Sequence, residues 1–241
     1  MELIAEVWSR ATSRQPVPDP WFVLATGVVA LLLVLLPGTW PRVRLGITVA
    51  HEAGHAFVAV LVGRQLRGIR LHSDTSGVTV SRGRPTGPGV VAMLAAGYLT
   101  PALLGLGAAL MLAAGRSVGL LWLLLLVLAG LLVWVRNVYG FLVMVVSGAG
   151  LLALTWYAGG TVQSVAAYLL AWLLLLAAPR PLLELLASGR RRRRTSDPDQ
   201  LAALTHVPAV IWAVVLLLAN LAGLVVGVST LAPDVLGGQG G

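Results

Sequence analysis

Seven long apolar runs limit what this chain can fold into. They lie at 21–37, 44–63, 88–114, 118–135, 138–157, 161–178 and 203–229. A helix of that length crosses a hydrocarbon core of about 30 Å. Only 11% of the residues are charged and the mean hydropathy is +0.89, whereas a soluble domain carries about 25% charge. There is too little polar surface to cover a water-soluble globule. In lipid every backbone N–H and C=O must be bonded within the protein, so runs of this kind fold as helices. The expected fold class is an all-α polytopic membrane protein of about seven transmembrane helices. Residues 1–241 are expected to form a single integral membrane domain.

The charge pattern bears on orientation. The formal net charge is +8 and every basic side chain is arginine. These arginines sit between the apolar runs, where they face anionic headgroups. The lipid bilayer is the expected partner and nucleic acid is not. Five consecutive arginines, Arg190–Arg194, mark the segment 179–200 as a basic cytoplasmic loop. Counting seven crossings back from it places Arg136 and the segment 66–84 inside, with a cytoplasmic N-terminus and an external C-terminus. Arg42, Arg44 and Arg116 then fall outside, against the rule. Abundant Ala, Leu, Val, Gly and Arg without lysine suggests a GC-rich bacterial genome, hence a multi-pass protein of the bacterial cell (inner) membrane. No cleaved signal segment is expected.

Two stretches break the helical pattern. Residues 66–84 alternate, turn β-branched in their second half and contain Asp74-Thr75-Ser76-Gly77, a turn signal. They predict a small β-hairpin with strands near 67–73 and 77–82. Met1–Arg14 reads equally as a short interfacial helix or a loose tail.

The second apolar run contains VAHEAGHAFV at 49–58. On a helix His51 and His55 lie one turn apart on one face. Two imidazoles so placed can reach one metal ion, and Glu52 can act as a base toward water at that metal. Two His and a Glu within a span are costly unless they face a ligand or a polar cavity. The alternative is a bonded cluster buried in the bundle. Without cysteine, any further ligand is His, Asp or Glu. The candidates are His72, Asp74, Glu184, Asp197, Asp199 and His206, with Asn137 as a supporting amide. Asp74 reads as turn chemistry and Glu184 as a solvated charge on a short amphipathic piece. Asp197 and Asp199 precede the last run. Asp197 is favoured as the third ligand, with Asp199 as the alternative, although Ser196 or Asp197 could simply cap a helix whose first residue is Pro198.

HEAGHAFVAVLVG, followed by a hairpin and a Gly97-Tyr98-x-x-Pro101 span, resembles the site-2 protease (M50) family of intramembrane zinc metallopeptidases, and within it the M50B-like bacterial branch. The resemblance covers about Leu45 to Ala222. It implies that His51 and His55 bind zinc and that Glu52 is the general base. It also implies a third ligand from a distant aspartate, and a hairpin that presents a substrate strand by edge pairing. The chain lacks the Leu-Asp-Gly element that carries this aspartate in better-known members. It resembles the M50B-like branch in Arg136-Asn137-x-x-Gly140 and in Ser196-Asp197-x-Asp199-Gln200-Leu201, which points to Asp197. The usual asparagine on the span after the hairpin is missing from Gly97-Tyr98-Leu99-Thr100, so its role in positioning substrate has no counterpart there. Asn137 and His72 are the remaining candidates for that role.

The expected function is zinc-dependent hydrolysis of a peptide bond in or near the transmembrane segment of a membrane protein substrate. Water must then reach the site through a polar cavity open to the cytoplasm. The competing reading is a non-catalytic membrane scaffold that keeps the metal-binding motif. A transporter is weaker still, because no internal repeat is visible.

Overall fold

The computed structural model describes residues 2–188 and 196–233, so the five-arginine run lies outside the described residues. Ten helices and one hairpin follow in chain order: α1 Glu2–Thr12, α2 Pro20–Leu35, α3 Trp40–Leu61, β1 Gln65–Leu71, β2 Gly77–Arg82, α4 Pro88–Ala113, α5 Ser117–Leu132, α6 Val138–Tyr157, α7 Gly160–Ala177, α8 Arg180–Ala187, α9 Asp197–Thr205 and α10 Ala209–Leu231. Among the described residues, α4, α6, the stretch Gly160–Ala187 and α10 are long and apolar enough to cross a membrane. α5 is apolar and shorter, and α2 with α3 passes the same test as a pair. The fold is thus helical and membrane-like, with about seven apolar helices and a hairpin after α3.

Local chemistry sets the breaks. Asp19 caps α2 by accepting from the Trp21 N–H at 3.0 Å, with Pro20 opening the helix. Pro37 cannot extend α2, and the Thr39 hydroxyl donates to the freed Leu33 carbonyl at 2.7 Å. The chain turns there, and α2 and α3 meet at 98°.

Close contacts between helices hold the bundle together. Phe22 meets Tyr168 edge-on, the Trp172 indole N–H donates to the Val23 carbonyl at 3.1 Å, and Val34 packs with Ala177. α2 therefore runs parallel to α7. Val62 lies against Gly89, and Gly54 against Thr100, so α3 is antiparallel to α4. Gly105 of α4 packs against Leu175 of α7. α2 and α3 pass the membrane-span test only together, as a pair bent by 98°.

Packing also places the N-terminal segment. The Gln15 N–H donates to the Gly115 carbonyl at 2.7 Å and Arg10 lies 5.0 Å over the Trp156 ring. The N-terminal segment thus sits at the end opposite the hairpin, not on the hairpin's side. Arg44, expected on the far side, instead pairs with Glu184 of α8 at 3.1 Å, and Arg180 stacks 4.1 Å over Trp40. The first two apolar runs meet the membrane-span test only as a pair, broken at Pro37.

Two further boundaries differ. The last span starts at Ala209, not 203. His206 adopts a left-handed conformation (φ 60°) after α9, and Pro208 begins the next helix. The segment 179–200 is not all loop, since α8 buries Leu182 among Val90, Leu94, Leu201 and Leu216.

The hairpin is antiparallel, pairing Leu71 with Gly77 and Ile69 with Thr79, with an irregularity between Leu66 and Gly68. Its turn is held by Asp74, which accepts from the Ser76 N–H at 3.0 Å and the Ser76 hydroxyl at 2.6 Å. These bonds hold the exposed Asp74 carboxyl below its usual pKa. The outer edge of β1 is covered. The Ile69 N–H donates to the Trp134 carbonyl at 2.8 Å and the Arg136 N–H to the Ile69 carbonyl at 2.9 Å. Since Ile69 spends both groups on that side, its partner Thr79 aims its own N–H and C=O away from β1. The open edge of the hairpin is therefore β2. Ile69, Leu71 and Val135 pack with Ala56 of α3 and Met144 of α6, which seats the sheet against the motif helix.

Candidate metal centre

Three side chains converge beside α4. His51 Nε2 lies 3.0 Å from His55 Nε2, and Asp197 Oδ2 lies 3.0 Å from the first and 3.2 Å from the second. A tetrahedral ion with bonds of about 2.0–2.1 Å holds neighbouring ligand atoms about 3.3–3.4 Å apart. The three atoms are thus spaced as metal ligands are, within a few tenths of an ångström. Two imidazoles and a carboxylate also form a donor set that suits zinc. Among the described residues no other His, Asp or Glu joins the group.

Each ligand has a local reason to be there. His51 and His55 share a face of α3. The His55 Nδ1–H donates to the Met93 carbonyl at 2.7 Å, which fixes the tautomer and turns Nε2 toward the other two groups. Tyr98 meets the His51 ring edge-on at 4.7 Å. Gly97 makes the room: a Cβ there would fall onto His55 Nε2 and lie 2.7 Å from His51 Cε1. Gly54 lets α3 approach α4, since its Cβ would meet Thr100 and the Ala96 carbonyl.

Asp197 is delivered by the start of α9. Ser196 is the N-cap, and its hydroxyl and N–H both bond Asp199 Oδ2, at 2.6 and 3.2 Å, in a closed capping box. Asp199 is thereby committed to the cap, and Asp197, at the first helical position, is free to face the histidines. Burial pushes the Asp197 carboxyl up, but the facing His51 and His55 rings outweigh it and hold the group well below the usual carboxylate range. The side chains of His51 and Asp197 stay 19% and 13% exposed, so the protein does not fully enclose the centre.

Over residues 24–227 the chain matches the peptidase M50B-like family. It belongs to that family. No curated protein and no solved structure matches it.

The other sequence candidates of this M50B-like chain lie elsewhere. His72 is exposed in the hairpin turn, within 3.2 Å of the Ser76 hydroxyl. Asn137 bonds both backbone groups of Leu71, donating to its carbonyl at 2.7 Å and accepting from its N–H at 3.2 Å. It extends the cover on the outer edge of β1. Glu184 is engaged by Arg44 and Arg180. His206 ends α9. Glu52 is 4% exposed and accepts from the Thr79 hydroxyl of β2 at 2.6 Å. A cavity of about 410 Å³ borders α3, but apart from Arg42 and Ser147 its lining is apolar, with Ala50, Ala53 and Leu128 among it and none of the three ligands. It is not the polar entry expected from the chemistry. Sequence reasoning missed the roles of Met93, Gly97 and Thr79. Gly97 had a signal in its motif. Thr79 had none, because the docking of a strand onto a helix leaves no local pattern.

Proposed function

We propose that this M50B-like chain is a zinc-dependent intramembrane peptidase. It hydrolyses a peptide bond in or near the transmembrane segment of a membrane protein substrate. The observation that carries the reading is the convergence of His51, His55 and Asp197 to within 3.0–3.2 Å, one residue along the helix from buried Glu52. His51, His55 and Asp197 would hold the ion. When bound, zinc supplies a Lewis acid that polarises the scissile carbonyl and makes water more acidic. Glu52 takes the proton from the attacking water and passes it to the leaving amine. Met93 keeps His55 in the ligating tautomer, and Gly97 keeps the space in which both rings stand.

A substrate helix must unwind before its carbonyls can be attacked. The open edge of β2 suits that task. Gly77 and Thr79 present unpaired backbone groups there, and Gly77 lies against Glu52. An extended segment added at this edge would place a peptide bond close to the base. Asn137 and His72 serve this presentation indirectly, by holding β1 and the turn. Residues 1–241 act as one integral membrane domain of the bacterial cell membrane, with the hairpin end cytoplasmic and the N-terminal segment on the other face.

Glu52→Gln tests the reading in purified protein reconstituted in lipid with a panel of single-span substrates. It is expected to keep zinc and lose cleavage. Cleavage at the wild-type rate sinks the mechanism, and wild-type protein that folds but takes up no zinc favours the scaffold.

A further inference from the structure

The general base of an M50B-like site sits on one element, but its orientation here comes from another. Glu52 belongs to α3 and is almost wholly buried. The Thr79 hydroxyl reaches Glu52 Oε2 at 2.6 Å, within the range of about 2.5–2.7 Å for a hydroxyl bonded to a carboxylate. The same oxygen lies 3.1 Å from the Glu52 backbone carbonyl, but one hydroxyl carries one proton, and the shorter contact takes it. That leaves Oε1 for other work. Beside Oε1 stands Gly77, where a Cβ would lie 2.7 Å from both Glu52 Cγ and Oε1 and 2.9 Å from Thr48 Cγ2. The hairpin thus binds one carboxylate oxygen and leaves space beside the other. Its seat on α3 is fixed independently by the Thr48 hydroxyl, which donates to the Thr75 carbonyl at 2.7 Å.

We infer that Thr79 is the positioning residue of Glu52, and that the hairpin, through Thr79 and Gly77, holds the base in its working orientation. Thr79 does this through its side chain and offers its backbone to the open edge. The element that would receive a substrate strand is therefore the one that aims the base, and the two functions separate by substitution. Thr79→Val removes the hydroxyl, keeps the shape and leaves the edge intact. It lowers kcat by roughly 10–100-fold, the order expected from misplacing a reacting group by about an ångström, with KM near the wild-type value. Thr79→Ser restores the hydroxyl and recovers most of kcat.

The inference rests on the proposed peptidase function, so the experiment carries a readout that does not need cleavage. Full-length protein in lipid nanodiscs is compared by infrared difference spectroscopy, wild type minus Glu52→Gln, which isolates the carboxylate bands of Glu52. Thr79→Val is expected to shift these bands, Thr79→Ser to restore them, and zinc content to stay unchanged in both. Should the valine variant not fold, Thr79→Ala, which removes bulk, takes its place. Unshifted bands overturn the inference, whatever the activity. Shifted bands with an unchanged kcat, in protein whose cleavage depends on Glu52, overturn it too. Shifted bands in a protein that shows no Glu52-dependent cleavage sink the peptidase reading and, with it, any catalytic meaning of the Thr79 bond.

Discussion

The sharpest test of the metal centre is a pair of substitutions two residues apart. Asp197 and Asp199 share one turn of helix and one acidic character, yet the structure gives them different work. Asp197 Oδ2 stands 3.0 and 3.2 Å from the two imidazoles, and Asp199 Oδ2 closes a cap on Ser196. Four-ligand zinc sites bind with about 10–16 kcal/mol. One ligand's even share is about 3–4 kcal/mol, or roughly 10²–10³-fold in affinity. Asp197→Ala should weaken zinc by that factor. Asp199→Ala should cost about 1 kcal/mol of stability through the lost cap, and leave zinc affinity within a few-fold of wild type. Competition against a chromophoric chelator measures the affinity, elemental analysis gives the stoichiometry, and thermal unfolding reads the cap. If Asp197→Ala binds zinc like the wild type, the third ligand has been wrongly assigned. If the two variants lose zinc equally, the division between ligand and cap is wrong.

Gly97→Ala puts a methyl against both imidazoles, so it should cost about 1–3 kcal/mol in strain and depress zinc binding with little change in expression; undiminished zinc affinity would show that the rings have room to spare. Asn137→Ala strands the N–H and C=O of fully buried Leu71, each worth about 1–3 kcal/mol when unpaired. Hydrogen exchange at the hairpin should rise while exchange in α4 stays slow, and an unchanged hairpin would refute the clamp. The chain has no cysteine, so single introduced thiols report on sidedness without interference. Ser13→Cys and Ser73→Cys, both at exposed positions, should react with an impermeant maleimide from opposite faces of sealed vesicles; labelling from the same face would restore seven full crossings.

How much was legible in the sequence depended on whether a feature is written locally. Apolar runs are local, since a bilayer selects each residue for hydrophobicity, and the helices stand where the runs are. The hairpin was legible for the same reason, its turn being built by Asp74 and Ser76 alone. The path of the chain was not. Pro37 marks where α2 stops, but it is the packing of Trp172 on Val23 and Gly27, far away in sequence, that seats α2 against α7. Arg44, counted as an exception on the far side, turned out to neutralise Glu184.

The third ligand shows where local reading ends. Helix caps and metal ligands draw on the same short oxygen-bearing side chains, so Ser-Asp-Pro-Asp supports a cap and a ligand equally well. Both are present, and each depends on the other. With Ser196 and Asp199 satisfying each other, α9 starts at Asp197, and the carboxylate at that position faces the two histidines rather than the cap. It is then available to two histidines on a helix some 140 residues earlier, where Gly97 has left space and Met93 has set one tautomer. The cap is what delivers the ligand. A variant that moves the cap by one residue, Ser196→Ala with Asp197 left to cap in its place, should therefore cost zinc affinity as well as helix stability. Zinc binding that survives such a shift would mean that α9 is held in place by its packing on α4 and α10, and that the capping box only decorates it.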